Sequence, residues 1–246
     1  MTSVRDIYDF LDSIAPFDSQ LPFDNSGLQC GDFESLVERA MLCLDVTPAV
    51  VEQASQANCE LVVAHHPVLF HARKQLLGRD PAWLLARHGM ACIASHTPLD
   101  ACPGGVNDLL AQRLGFGEPA LLNPLIRLCA LLGPLTAKAL ADVASQKLNA
   151  PVRYIDADKP ITTVALCGGL GCHFLGEIYD RADAFLTGDA DHHNFLDAAQ
   201  HGLTLVAAGH FETEIHVVPA LAEKLRAAFP SIQWHIANEY GVIKYA

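Results

Sequence analysis

Residues 39–70, RAMLCLDVTPAVVEQASQANCELVVAHHPVLF, read as a strand, a helix and a second strand with little between them. RAMLCLD is an apolar run of strand length. Thr47-Pro48 then gives a helix start, a threonine N-cap followed by proline at the first helical position, where its missing N–H does no harm. PAVVEQASQA continues the helix, and ELVVA is again a buried strand. His65 and His66 follow it side by side, and Pro67 stops the strand.

The alternation extends in both directions. From Ser3 to Ile14, Ile7, Phe10, Leu11 and Ile14 share one helix face, and Ser3 with Asp6 fits a capping box. Asp80-Pro81 repeats the helix-start signal ahead of AWLLARHG. MACIAS reads as a strand and VNDLLAQRLG as a helix with a glycine stop. Further on, LIRLCALLG, VRYID, ITTVALC, DAFLT, LTLVAAG and IQWHIA read as strands. TAKALADVASQKL, residues 191–200 and VVPALAEKLRAAF read as helices. Strands and helices alternating through short connections predict an α/β fold of two α/β lobes with largely parallel or mixed sheets. The proline- and glycine-bearing stretch from Gly115 to Pro124 sets the expected boundary, with residues 1–122 in the first lobe and 123–246 in the second. The C-terminal segment is free to pack back on the first lobe.

Composition narrows the function classes. Of 246 residues, 51% are hydrophobic and 18% charged, which suits a packed globular chain. The formal net charge of −12 disfavours nucleic acid as a partner, and the densest basic stretch is HARKQLLGR, residues 71–79. No apolar run is long enough to span a bilayer, and the acidic N-terminus does not resemble a secretory signal, so a cytoplasmic location is expected. The eight cysteines are scattered without a C-x-x-C pair, as expected of reduced core thiols.

The unusual polar residues collect just after strands. His65 and His66 follow ELVVA, and His96 and Asp100 follow MACIAS. Gly188, Asp189, His192 and His193 follow DAFLT, and Gly209, His210, Glu212 and Glu214 follow LTLVAA. Ligands of open α/β sheets bind outside the carboxyl ends of strands. A lone histidine at such a place is usually a hydrogen-bonded structural residue, and His71, His88, His173, His201, His216 and His235 are read that way. Adjacent histidines serve one site only if the backbone turns after the strand. Asp100 alone would pass for an N-cap, and Glu214 alone for a first-turn carboxylate. Taken together, three histidines and two carboxylates make a nitrogen and oxygen donor set without cysteine. Such a set suits zinc, iron, manganese or cobalt and exceeds what one catalytic zinc takes. CGGLGCH, Cys167 to His173, lacks a dinucleotide fingerprint or Walker lysine and reads as a tight turn before it reads as an anion cradle. DNSGLQCGD, Asp24 to Asp32, reads as a turn.

DNSGLQCGD, HHPVLF, SHTPLD, GGLG, TGDADHH and GHFETE, in that order, resemble the family of GTP cyclohydrolase I type 2 homologues, the NGG-interacting-factor-like proteins. The resemblance implies a di-metal site at the strand ends between the lobes and a ring-shaped homohexamer. It implies two divalent ions per chain, held by His65, His66, Asp100, His210 and Glu214, with Asp100 as the bridging carboxylate. It places His96 and His193 beside the ions as catalytic or substrate-facing groups. Leu170 stands where the family's glycine loop often carries serine. Two functions follow from these residues. The first is metal-dependent hydrolysis, cyclohydrolase-like or at a phosphoester or amide, of a nucleotide-like small molecule. The second is a non-enzymatic metal-handling or scaffold protein with the same ligands.

Overall fold

Strands that are apolar without alternation need cover on both faces, and the structure, a computed structural model describing residues 1–244, builds two sheets around such strands. The first strands are β1 Gly27–Cys30, β2 Arg39–Cys43, β3 Leu61–Ala64, β4 Ala91–Ala94, β5 Ala120–Leu121 and β6 Arg127–Leu135. They continue with β7 Arg153–Tyr154, β8 Ile161–Cys167, β9 Ala184–Thr187, β10 Thr204–Ala207 and β11 Gln233–Ile236. The helices of the first half are α1 Val4–Ile14, α2 Pro48–Gln56, α3 Pro81–His88, α4 Thr97–Ala101 and α5 Val106–Leu114. Those of the second are α6 Ala137–Leu148, α7 Leu175–Ile178, α8 His192–Gln200, α9 His210–Glu214 and α10 Val217–Ala228. The start signals act as their chemistry dictates. Ser3 and Asp6 close a capping box on α1, while Thr47, Asp80 and Thr136 each accept a first-turn N–H at the heads of α2, α3 and α6.

The chain divides into two units. The first comprises Met1–Cys102 and Val217–Tyr240, and the second Pro103–His216 with the described residues after Tyr240. The first unit's sheet has the order β1-β4-β3-β2-β11, with β11, β2, β3 and β4 parallel and β1 antiparallel to β4. Met41, Val50, Val62, Leu85 and Cys92 are part of its core. The second unit's sheet has the order β5-β6-β8-β9-β10-β7. Strands β8, β9 and β10 are parallel, and β5, β6 and β7 pair antiparallel. Its core includes Leu110, Leu140, Val164, Leu186 and Val206. Both sheets are therefore mixed, with parallel centres.

The units divide earlier in the chain than the Gly115–Pro124 stretch. Leu110, Ala111 and Leu114 of α5 belong to the second unit's core, so the helix ahead of that stretch goes with the second sheet. Gly115 itself is the left-handed stop of α5. The C-terminal segment returns through α10 to place β11 beside β2. The turn-rich stretch Asp24 to Asp32 also contains a strand, β1, which the sequence pattern does not announce.

Register matters most for the site. Cys43, Ala64 and Ala94 lie opposite one another, so β2, β3 and β4 end abreast. Cys167, Thr187 and Ala207 do the same for β8, β9 and β10. Each unit thus delivers three successive loops to one carboxyl edge of its sheet. None of the eight cysteines is in a disulfide, and all but Cys30 are buried. Burial pushes the Cys43 and Cys92 thiols well above their ordinary range and Cys172 up to about 12. No helix among the described residues is long and apolar enough to cross a membrane.

Phe185 of β9 is fully buried. Phe185→Ala is expected to lower stability by about 3–5 kcal/mol. Urea unfolding checks this, and an unchanged midpoint would contradict a packed interior position for β9.

Candidate metal centre

The chain leaves β3 still paired to the end of β2: the N–H of His65 donates to the Cys43 carbonyl (3.2 Å) and that of His66 to the Leu44 carbonyl (2.9 Å). Past the strand the alternation of faces lapses, and the two rings come to 4.8 Å between centroids. His96, leaving β4, places its ring 5.2 Å from His65 and 5.5 Å from His66. One ring nitrogen of each of the three lies within 4.8 Å of the others.

Each ring is fixed through Nδ1. His65 Nδ1 meets the Ser95 carbonyl at 2.9 Å. A carbonyl only accepts, so this nitrogen carries the hydrogen and, in the neutral ring, Nε2 carries the lone pair. That Nε2 faces Asp100 Oδ1 of α4 at 3.5 Å. Two ligands on one zinc-like ion, with bonds of roughly 2.0–2.2 Å, stand roughly 3–3.6 Å apart. His66 Nδ1 meets Asp45 at 2.8 Å and His96 Nδ1 meets Asp24 at 2.7 Å. Asp24 also accepts from the Thr97 and Asn25 N–H groups and from the Ser26 and Thr97 hydroxyls. Burial pushes its carboxyl upward, but the bonds from His96, Thr97 and Asn25 and the charge of His96 outweigh burial and hold it well below the usual range. The DNSG stretch is therefore the device that aims His96. Asp100 is no N-cap: it lies inside α4, whose turn is closed by the Leu99 and Asp100 N–H groups on the His96 carbonyl.

In the second unit, Gly209 takes φ +87°, a conformation open to glycine, and turns the chain from β10 into α9. The i, i+4 spacing then sets His210 and Glu214 on one face, with Nε2 and Oε2 3.2 Å apart. Glu214 closes α9 and is 4% exposed, so it is not a first-turn carboxylate. His210 Nδ1 meets Asp189 at 2.7 Å. Burial pushes the His210 pKa down, but its bonds to Asp189 and Glu214 and their charges prevail and raise it to about 10.

The glycine loop after β8 backs this pair. The Gly168 N–H donates to Asn107 (2.7 Å), that of Gly169 to Thr213 (3.1 Å) and that of Gly171 to Thr187 (3.0 Å). The Gly169 carbonyl accepts from the N–H groups of Gly188 and Asp189, both at 2.9 Å. These amides are committed inside the protein, which favours the tight turn over an anion cradle. At Gly169, with φ +59°, a Cβ would lie 2.2 Å from Glu214 Oε1 and 3.0 Å from His210 Nε2. Only glycine fits against the pair.

Of the residues that sequence singled out, His65, His66, His96 and Asp100 stand together in the first unit, and His210 and Glu214 in the second. His193 is exposed in the first turn of α8 with its ring edge-on to His192, and the donor groupings among the described residues do not include it. The sequence reading noted Asp189 only as a polar residue after a strand and gave no role to it, to Asp24 or to Asp45, whose partners lie at separations of 21, 72 and 21 residues. In both units an imidazole nitrogen faces a carboxylate oxygen at ligand spacing. The donors are nitrogen and oxygen only, which fits a borderline divalent ion.

The model of the Duf34/NIF3 (NGG1p interacting factor 3) family matches residues 2–241. A GTP cyclohydrolase 1 type 2 homolog from Clostridium acetobutylicum is 31% identical over 242 residues, covering 92% of this chain and 90% of its own. A protein NIF3 homolog from Schizosaccharomyces pombe is 29% identical, covering 84% and 83% respectively. Among solved structures, a hypothetical protein of Staphylococcus aureus aligns with a TM-score of 0.91 at 25% identity over 99% of both chains. A Bacillus cereus protein related to NIF3 aligns at 0.90 with 19% identity, covering 100% of this chain and 99% of its own, a likeness of fold alone.

Gly169→Ala is expected to displace the Glu214 carboxylate and to weaken zinc binding by at least about tenfold, measured by calorimetric titration. Wild-type affinity in that variant would contradict the backing role of the loop.

Proposed function

This chain belongs to the NIF3 (NGG1p interacting factor 3, DUF34) family, and from that premise we propose that it is a di-metal hydrolase acting on a nucleotide-like small molecule. The observation that carries the reading is the facing of imidazole nitrogen and carboxylate oxygen in both units, at 3.5 Å for His65 and Asp100 and 3.2 Å for His210 and Glu214. His65, His66 and Asp100 in the first unit and His210 and Glu214 in the second are the residues proposed to hold two divalent ions. Zinc, iron, manganese and cobalt all suit these donors. When bound, such ions supply Lewis acidity and bring the ionisation of water into the neutral range.

The chain's own groups do the rest. His96, with Nδ1 anchored on Asp24, has a fixed ring and accepts and returns a proton through Nε2. His193, exposed at the head of α8, is the proposed exchange point with solvent. The basic stretch 71–79 follows directly on Phe70, whose ring centroid is 5.8 Å from that of His96. Arg73 is held by Asp80 and the Val68 carbonyl, while Lys74 and Arg79 are exposed. In a chain of net charge −12, this local positive charge favours a phosphate-bearing substrate. The Clostridium relative is named a GTP cyclohydrolase 1 type 2 homolog, which supports a nucleotide as the class of substrate. A phosphorus or amide carbon suits the same donors. The proposal includes a homohexameric ring, which light scattering measures.

The test is turnover of a nucleotide panel by zinc-, iron-, manganese- and cobalt-loaded protein. His66→Ala and Glu214→Ala are expected to abolish metal-dependent turnover with circular dichroism unchanged. His96→Ala is expected to lower kcat by about 10²–10⁴-fold while metal stays bound. Full activity in either ligand variant after metal removal would overturn the mechanism. A metal-loaded wild type without turnover on any substrate would instead favour a metal-handling protein.

A further inference from the structure

We infer that Asp45 and Asp189 are matched positioning residues, one in each unit, that present the Nε2 atoms of His66 and His210 in the same way. The equivalence is geometric. Asp45 follows the end of β2 at Cys43, and Asp189 follows the end of β9 at Thr187. His66 and His210 follow the next parallel strands, β3 and β10, which end abreast of those partners. Neighbouring strands are about 4.8 Å apart, so side chains a few residues past abreast ends come within reach. The Nδ1 to carboxylate distances are 2.8 Å and 2.7 Å, and both pairs are separated by 21 residues.

The loops that carry the two aspartates are braced alike. Glu239 accepts from the N–H groups of Leu44 (2.5 Å) and Asp45 (3.1 Å). In the second unit the Gly169 carbonyl accepts from Gly188 and Asp189. The other two histidines are held differently. His65 leans on a backbone carbonyl, and His96 on an aspartate 72 residues away. Each unit therefore contains one copy of the same device, an imidazole backed by an aspartate from the end of the neighbouring parallel strand. A carboxylate behind Nδ1 fixes the ring and makes Nε2 a better donor.

The consequence for metal rests on the di-metal reading, whereas the hydrogen-bond geometry does not, and the test separates the two. Zinc affinity is measured by calorimetry for wild type and for Asp45→Ala, Asp189→Ala, Asp45→Asn and Asp189→Asn. The Nδ1–H resonances of His66 and His210 are followed by nitrogen-15 NMR in the metal-free proteins. Each alanine variant is expected to lose the protected Nδ1–H signal of its own histidine and to bind zinc about 10–100-fold more weakly. The asparagine variants keep an acceptor oxygen and are expected to recover part of both. Wild-type affinity in either alanine variant, or protected signals that survive both alanine changes, would overturn the inference. If wild type binds no zinc, the di-metal reading fails, and the NMR signals alone decide the positioning roles. Should an alanine variant not fold, its asparagine counterpart decides: its protected signal and near-wild-type zinc binding support the role, and loss of both overturns it.

Discussion

Glu214 is 4% exposed, and its carboxylate faces the Nε2 of His210 at 3.2 Å. A charge that deeply buried needs a balancing partner. In the metal-free chain the partner is the proton on His210, whose pKa rises to about 10. That ion pair stabilises the metal-free fold fully below the ordinary imidazole range, and its contribution fades as pH rises through about 10. A divalent ion held by the same two atoms would take the place of that proton. The surroundings of the pair suit this exchange: Gly168 and Gly169 bring bare backbone against it, and Thr213 and Asn107 lock that backbone in place.

The remaining donors follow from sheet register. Because β2, β3 and β4 end abreast, the first unit brings Asp45, His66 and His96 to one edge without any long-range fold-back. The second unit uses β8, β9 and β10 in the same way for the glycine loop, Asp189 and His210. The short helices α4 and α9 then finish the work. Each is five residues long, begins at or just after a histidine, and ends at or next to a carboxylate. Positioning by strand ends costs little conformational entropy at the site, because the strands are already ordered by their cores.

Much of this was legible in the sequence because the signals are local. Thr47-Pro48, Asp80-Pro81 and Ser3 with Asp6 mark helix starts by short-range hydrogen bonds, and the histidines sit directly after apolar strands. What was missed depends on distant pairing. Strand β1 is four residues long inside a turn-rich stretch, and only β4 makes it a strand. The pairing of aspartates with His66, His96 and His210 carries no local mark, since it is set by strand register or a returning loop. The unit boundary was displaced because glycine and proline near residues 115–124 punctuate a loop, whereas a boundary is decided by which core α5 joins. The glycine loop could not be read as a backing surface until Glu214 stood against it.

The central claim is that these donors hold metal. Elemental analysis of protein purified without added metal or a histidine tag, with His66→Ala as control, tests it most directly. About two divalent ions per chain, reduced in the variant, is the result expected of a paired site. A wild-type chain that retains no divalent ion, even after reconstitution, would contradict the account.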